Sequence, residues 1–167
     1  HMKILMLGVK EYPYGISSKF EKHSGGGIAR VVIELVNEIP RTYPETEITL
    51  IVRKMPGQLS KEVINNLTLF RVPWKNSRYL RMPVFAYFSL IKAIRIGRKF
   101  DIVHAHGAFG IGISHLLKII YPRLKIVASP HGGPLTKNSV YNNLATYLFQ
   151  KLEKCNLKKA ENVIFLT

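Results

Sequence analysis

Short apolar runs alternate along the chain with stretches of helical periodicity. The first run, residues 3–8, is continuously apolar after Lys3 and ends in glycine, which is typical of a central parallel strand buried on both faces. Similar runs recur until the end of the chain. The pattern predicts six strands, at 3–8, 47–53, 67–72, 101–105, 125–129 and 162–167.

Between these runs, apolar residues return every three or four positions. Residues 28–39 show this spacing, and Pro40 is expected to stop the helix. Further helices are predicted at 82–99, 109–120 and 139–159. Strands that alternate with helices predict an α/β protein, namely a Rossmann-like, doubly wound, mostly parallel six-stranded sheet with helices on both faces.

Three motifs lie where a predicted strand ends or a predicted helix begins. They are the glycine-rich loop 24–27, the His-Ala-His-Gly segment 104–107 and the Pro-His-Gly-Gly segment 130–133. Ligands of open α/β sheets bind outside the carboxyl ends of the strands, so we expect the motifs to share one edge. Glycines before a helix let backbone N–H groups approach an anion, although a flexible hinge has the same composition.

The histidines of these motifs are the candidate chemical groups. His104 is expected to be buried near its strand end, and His106 to lie closer to the rim. His131, beside two glycines, can bind a sugar hydroxyl when neutral or offset a phosphate when charged. We expect no metal site, because Asp101 is the only acidic residue in this region.

The charge of the chain is large and uneven. The formal net charge is +15, and seven of the ten acidic residues lie at or before Glu62. Such a field attracts phosphorylated ligands, anionic lipid or nucleic acid, unless an acidic partner domain balances it. A single cysteine, Cys155, and the lack of a long apolar segment predict a cytoplasmic protein.

A basic and aromatic stretch covers 63–100. On its predicted helix, Phe88, Lys92, Arg95 and Lys99 share one arc opposite a sheet-packing face. Apolar and cationic side chains on an exposed arc suggest contact with an anionic membrane at its inner face. A solvated helix face with extended lysines explains the same pattern.

Four segments together resemble the retaining nucleotide-sugar glycosyltransferases of family four, which have the GT-B fold. Residues 26–35 look like the Gly-Gly-x-x-Arg helix opening of that family, and 101–106 like its Asp-x-x-His-x-His strand. Residues 127–132 are similar to its strand ending in His-Gly, and 152–167 to its helix-to-strand segment. The chain departs from the pattern at Ala29 and Glu161, where the family commonly has glutamate and aspartate.

The resemblance implies an enzyme with two facing Rossmann-like domains. Residues 2–167 would form the N-terminal, acceptor-side domain, and the C-terminal donor-binding domain would be absent, so this piece alone should be inactive. The implied reaction is hexosyl transfer with retention, from a nucleotide sugar to a lipid-linked or glycan acceptor, without a metal or other cofactor.

The resemblance also implies roles for individual residues. His131 would contact the transferred sugar as the catalytic residue. Donor binding would involve Gly26, Gly27 and Gly132. The acceptor side would include His106 and Arg30.

Other functions fit parts of the pattern. A phosphorylase-like or epimerase-like enzyme would share the fold without the order of the motifs. A non-catalytic basic module could bind anionic lipid or nucleic acid, but no nucleic-acid motif is present, so we expect no nucleic-acid partner. Glu153 and Glu161 have the spacing of a glycosyltransferase glutamate pair, yet they lie in a charged helix and its exit, which indicates coincidence.

Overall fold

A single mixed sheet organises the domain. The computed structural model describes residues 1–12, 27–77, 79–131, 158 and 162–164. The strands are β1 (Lys3–Leu7), β2 (Glu47–Arg53), β3 (Lys61–Ile64), β4 (Leu67–Val72), β5 (Ile102–His106), β6 (Lys125–Ser129) and β7 (Asn162–Val163). Their order in the sheet is β3-β4-β2-β1-β5-β6-β7, and only β3 runs antiparallel to its neighbour.

Helices cover both faces of the sheet, as expected for a doubly wound fold. They are α1 (Gly27–Thr42), α2 (Arg81–Gly97) and α3 (Gly107–Ile120). Ile4 and Met6 of β1 pack in the core beneath α1, whereas Leu5 and Leu7 pack in the core beneath α2 and α3. Because neighbouring side chains of a strand point to opposite faces, a strand covered on both sides is apolar throughout.

The prediction of six strands was wrong by one, because β3 was missed. This strand lies at the edge of the sheet and pairs with β4 through a tight turn at Asn65 and Asn66, where Asn65 has a φ of 51°. Lys61 and Val63 are exposed, so the segment lacks the apolar run of a buried strand. A short edge strand is stabilised by its neighbour rather than by its own pattern.

The predicted end of the first helix was also wrong. The helix continues past Pro40 to Thr42. In the last turn proline gives up one hydrogen bond, and the N–H of Tyr43, the residue after the helix, donates to the carbonyl of Ile39 at 2.8 Å. The predicted helix at 139–159 and most of the strand at 162–167 lie outside the described residues.

The carboxyl end of β1 lies in contact with the start of α3. Gly8 has a φ of +91°, and a Cβ atom there would lie 1.8 Å from the carbonyl oxygen of His106. A Cβ atom on Gly110 would lie 2.7 Å from the carbonyl oxygen of Leu7. The two glycines therefore allow α3 to begin directly against the end of β1, which holds the backbone of His106 in place.

Candidate active site

Three imidazoles meet at the carboxyl edge of β5 and β6. His104 and His106 are on β5, and His131 follows β6 by two residues. Nδ1 of His106 lies 2.9 Å from Nε2 of His131, and the two rings are stacked with centroids 5.1 Å apart. Nε2 of His104 lies 2.8 Å from Oγ of Ser129. The ring centroids of His104 and His106 lie 4.2 Å apart, so the three histidines form one connected cluster.

The cluster is electrically neutral at pH 7. Burial, and then the charge of His131, lowers the pKa of His104 to about 4. Burial, followed by the charges of His104 and His131, lowers the pKa of His106 to about 2. Burial also lowers the pKa of His131. A neutral imidazole binds a hydroxyl as donor or acceptor, so the site favours a sugar hydroxyl over a phosphate charge.

One of the three histidines lies at a different depth from the one expected from the sequence. His104 is buried, as expected, although its partner is the side chain of Ser129 rather than backbone. His106, expected to line the acceptor side near the rim, is only 1% exposed. A side chain so deeply buried presents no surface to an acceptor. Half-buried His131 is the member of the cluster that reaches the rim.

His106 also carries an unsatisfied group. Among the described residues, no partner lies within hydrogen-bonding distance of its buried Nε2 atom. The other ring nitrogen, Nδ1, is engaged by His131, so one of these two nitrogens donates the shared proton and the other accepts it. The side chain of His106 thus contacts His131 from below and restricts its orientation.

The start of α1 lies beside this cluster. Gly27 begins α1, and Cδ1 of Ile28 lies 3.6 Å from the position of a Cβ atom on Gly107, the residue after His106. Gly107 has a φ of +66°, a conformation that favours glycine. The structure therefore brings Gly27, His106 and His131 to one edge.

The remaining predicted ligand-binding residues are placed as follows. Arg30 is exposed in the first turn of α1. Gly26 and Gly132 lie outside the described residues. The first turns of α1 and α3 contain no acidic residue, so no side chain of those turns neutralises the positive end of its helix dipole.

Two of the four residues of the predicted membrane-contact arc are half-buried, and two are exposed. Phe88 packs against the core beneath α2, and Nζ of Lys92 lies 3.9 Å from the ring centroid of Phe70. Arg95 and Lys99 are exposed. Within the described ranges, no helix is long and apolar enough to span a bilayer.

Across the part of the chain that the structure describes, no group of three or more histidine, cysteine, aspartate or glutamate side chains is arranged to hold a metal ion. The histidines instead engage one another and Ser129.

The buried imidazoles predict a stability that depends on pH. An unfolded histidine becomes charged near pH 6.5, whereas His104 and His106 stay neutral in the folded protein well below that value. The unfolded chain therefore binds more protons below pH 6.5, and the free energy of unfolding falls as the pH drops. Between pH 7 and pH 5 we expect a loss of roughly 2 kcal/mol per imidazole in urea denaturation.

One variant distinguishes the contribution of a buried histidine to this pH dependence from the contributions of other titrating groups. His104→Gln keeps a hydrogen-bonding side chain but cannot titrate, so its stability should fall less than that of the wild-type protein over the same pH range. Equal losses in the two proteins, or no loss in the wild type, would contradict the assignment of buried neutral histidines.

The domain has six parallel strands, helices on both faces of the sheet and a site at the carboxyl edge. These features define a Rossmann-like domain of the GT-B type. The fold is similar to that of sucrose-phosphate synthase from Thermosynechococcus elongatus, with a TM-score of 0.66 and 15% identity over 98% of this chain and 42% of that one. It is also similar to the catalytic domain of starch synthase IV from Arabidopsis thaliana, with a TM-score of 0.54 and 14% identity over 78% of this chain and 34% of that one.

A putative UDP-N-acetylglucosamine 2-epimerase from Listeria monocytogenes has a TM-score of 0.50 at 13% identity, over 98% of this chain and 38% of that chain. A comparison with curated protein sequences gives no match. The chain belongs to Glycosyltransferase Family 4, whose sequence profile matches residues 25–167. It spans less than half the length of each of the three similar structures.

Proposed function

We propose that this domain takes part in the transfer of a hexosyl group from a nucleotide sugar to an acceptor, with retention of anomeric configuration. One observation carries the proposal: in a chain of Glycosyltransferase Family 4, a neutral His131 reaches the rim beside the start of α1. A second domain of the same polypeptide would complete the site and supply most of the donor contacts.

In this proposal His131 positions the donor sugar. Its Nε2 atom is engaged by His106, which leaves Nδ1 as the ring nitrogen for a sugar hydroxyl. A neutral imidazole makes such a bond without competing for the charge of the diphosphate. Holding the sugar in the reactive orientation lowers the barrier, since a poorly positioned reactant reacts more slowly.

The start of α1 suits the departing diphosphate. The first N–H groups of a helix have no partner within the helix, and the helix dipole places partial positive charge there. Gly27 lets an anion approach this backbone, since no described residue lies within 4 Å of a Cβ position there. Preorganised dipoles of this kind stabilise developing negative charge without a divalent metal.

Product analysis with the full-length polypeptide tests the proposal. Nucleotide sugars are incubated with candidate acceptors, nucleoside diphosphate release is measured, and the anomeric proton of the product is read by NMR. We expect acceptor-dependent release, a product anomer matching the donor, and unchanged turnover in EDTA. An inverted product would refute retention, and release that requires inorganic phosphate or yields an epimerised sugar nucleotide would refute glycosyl transfer.

A further inference from the structure

A second polar cluster lies at the same edge of the sheet, where β2 and β4 end. Cζ of Arg53 lies 4.6 Å from the ring centroid of Trp74, and Nε1 of Trp74 donates to the carbonyl of Lys54 at 2.9 Å. Arg53 is 7% exposed and contacts the carboxylate of Glu11 and the carbonyl of Lys10. Arg53 and Trp74 thus form a fixed base for this part of the edge.

Exposed cations surround Arg53 and Trp74. They are Lys10, Lys54, Lys75 and Arg81. Lys54 and Arg81 bond neutral groups, with Nζ of Lys54 lying 2.8 Å from Ser60 and Nη2 of Arg81 lying 3.3 Å from Asn76. We call these four residues with Arg53 and Trp74 the cationic rim.

The described residues neutralise only one of the five positive charges of the cationic rim, that of Arg53. None of its four exposed cations takes part in an ion pair within the described ranges, and the carboxylate of Glu11 is engaged by Arg53. Burial lowers the pKa of Arg53, Glu11 raises it, and the charge of Arg81 lowers it again. Several cations that share one carboxylate favour binding of a dianion.

The cationic rim lies close to the histidine cluster. β1 separates β2 from β5, and the pairings Met6 with Leu50 and Leu7 with Ala105 place Arg53 about one residue beyond the level of His106. Two strand spacings then separate their backbones by about 10 Å. Their side chains point to opposite faces of the sheet, because Arg53 continues the face of Ile51 and His106 that of Met6, so a ligand that joins them must cross the carboxyl end of β1.

We propose that the cationic rim binds a phosphate group carried by the acceptor, so that the hydroxyl to be glycosylated reaches the rim beside His131. This inference rests on the proposed glycosyl transfer. Lys54 and Lys10 supply ammonium charges, and Arg81 supplies a planar fork of donors that matches phosphate oxygens. The chemical class of the acceptor is a small phosphate monoester.

A fluorescence titration of this chain tests the binding step without any donor. Trp74 is the only tryptophan, so its emission reports directly on the cationic rim. We expect glucose 6-phosphate to change the emission saturably, inorganic phosphate to do so more weakly, and glucose to have no effect. Added salt should weaken the binding, because the attraction is ionic.

Two substitutions localise the site. Arg81→Ala removes an exposed cation of the cationic rim and should raise the Kd for glucose 6-phosphate about tenfold. Arg123→Ala removes an exposed cation from the loop between α3 and β6, at the opposite end of the sheet, and should leave the Kd unchanged. Equal effects of the two substitutions would overturn the proposal, because binding would then follow net charge alone.

Two further experiments distinguish the possible sources of the phosphate group, and distinguish a failure of this inference from a failure of the proposed glycosyl transfer. A response to vesicles containing phosphatidylglycerol but not to glucose 6-phosphate would overturn the proposal in favour of a lipid surface. In the full-length polypeptide, Arg81→Ala should raise KM for a phosphorylated acceptor while kcat is unchanged. Transfer to unphosphorylated acceptors alone would refute this inference and leave glycosyl transfer intact, whereas glucose 6-phosphate binding without any transfer would refute glycosyl transfer and with it the acceptor role, leaving only a phosphate-binding site.

Discussion

Gly8→Ala is expected to prevent folding or to lower the free energy of unfolding by more than about 4 kcal/mol. The added methyl carbon would lie 1.8 Å from the carbonyl oxygen of His106 and 2.9 Å from its carbonyl carbon, at a φ of +91°. The atoms it meets are backbone atoms of β5, which is hydrogen-bonded to β1 and β6 and cannot move aside locally. Such a contact is relieved only by separating α3 and β5 from β1.

Gly57→Ala is the matched control. Gly57 also has a positive φ, of +80°, but no atom of the described residues lies within 4 Å of its Cβ position. It should therefore show only the conformational cost of alanine in this region, about 1 kcal/mol. Thermal unfolding followed by circular dichroism compares the two variants. Equal stabilities would mean that the contact between Gly8 and His106 does not hold the start of α3 against β1.

His131→Ala is expected to lower the turnover of the full-length polypeptide by about 100-fold or more. The substitution removes the imidazole that reaches the rim, while the buried His104 and Ser129 pair remains. Since His131 is only half-buried, the thermal unfolding temperature should change little. Steady-state kinetics with saturating nucleotide sugar measure kcat, and near-wild-type turnover would end the assignment of His131.

Two related variants separate contact from positioning. His131→Gln keeps a hydrogen-bonding group and should recover part of the turnover lost in His131→Ala. His106→Leu leaves His131 in place but removes its partner at 2.9 Å, so turnover should fall while the pH profile of kcat changes. His106→Asn restores a polar atom near the position of Nδ1, and a recovery of turnover would support a positioning role for His106.

The buried strands were predictable because their surroundings dictate their composition. β1, β2, β5 and β6 lie between other strands and carry buried residues along most of their length, which makes their patterns easy to recognise. β3 was not predictable from the sequence, since an edge strand with exposed Lys61 and Val63 resembles a loop. The turn at Asn65 and Asn66 was the one local signal that could have identified it.

The face of α2 illustrates a different limit. The sequence correctly predicts its extent to within two residues and the burial of Ala93, but not the partial burial of Phe88 and Lys92. Lys92 lies over the ring of Phe70 because α2 packs across β4. The cationic rim was missed for the same reason, since Arg53 and Trp74 are distant in sequence and meet only where β2 and β4 end side by side.

From the sequence alone, the alternation of strands and helices determined that the motifs at Gly27, His106 and His131 would meet, because parallel strands end at a common edge. Only the tertiary structure decided how deep each imidazole lies. The close contact between Gly8 and the backbone of His106 seats α3 against β1 and buries His106, whereas His131 follows the end of β6 and reaches the rim. The depth of a side chain depends on which elements pack over it, and the spacing and composition of residues in the sequence do not contain that information.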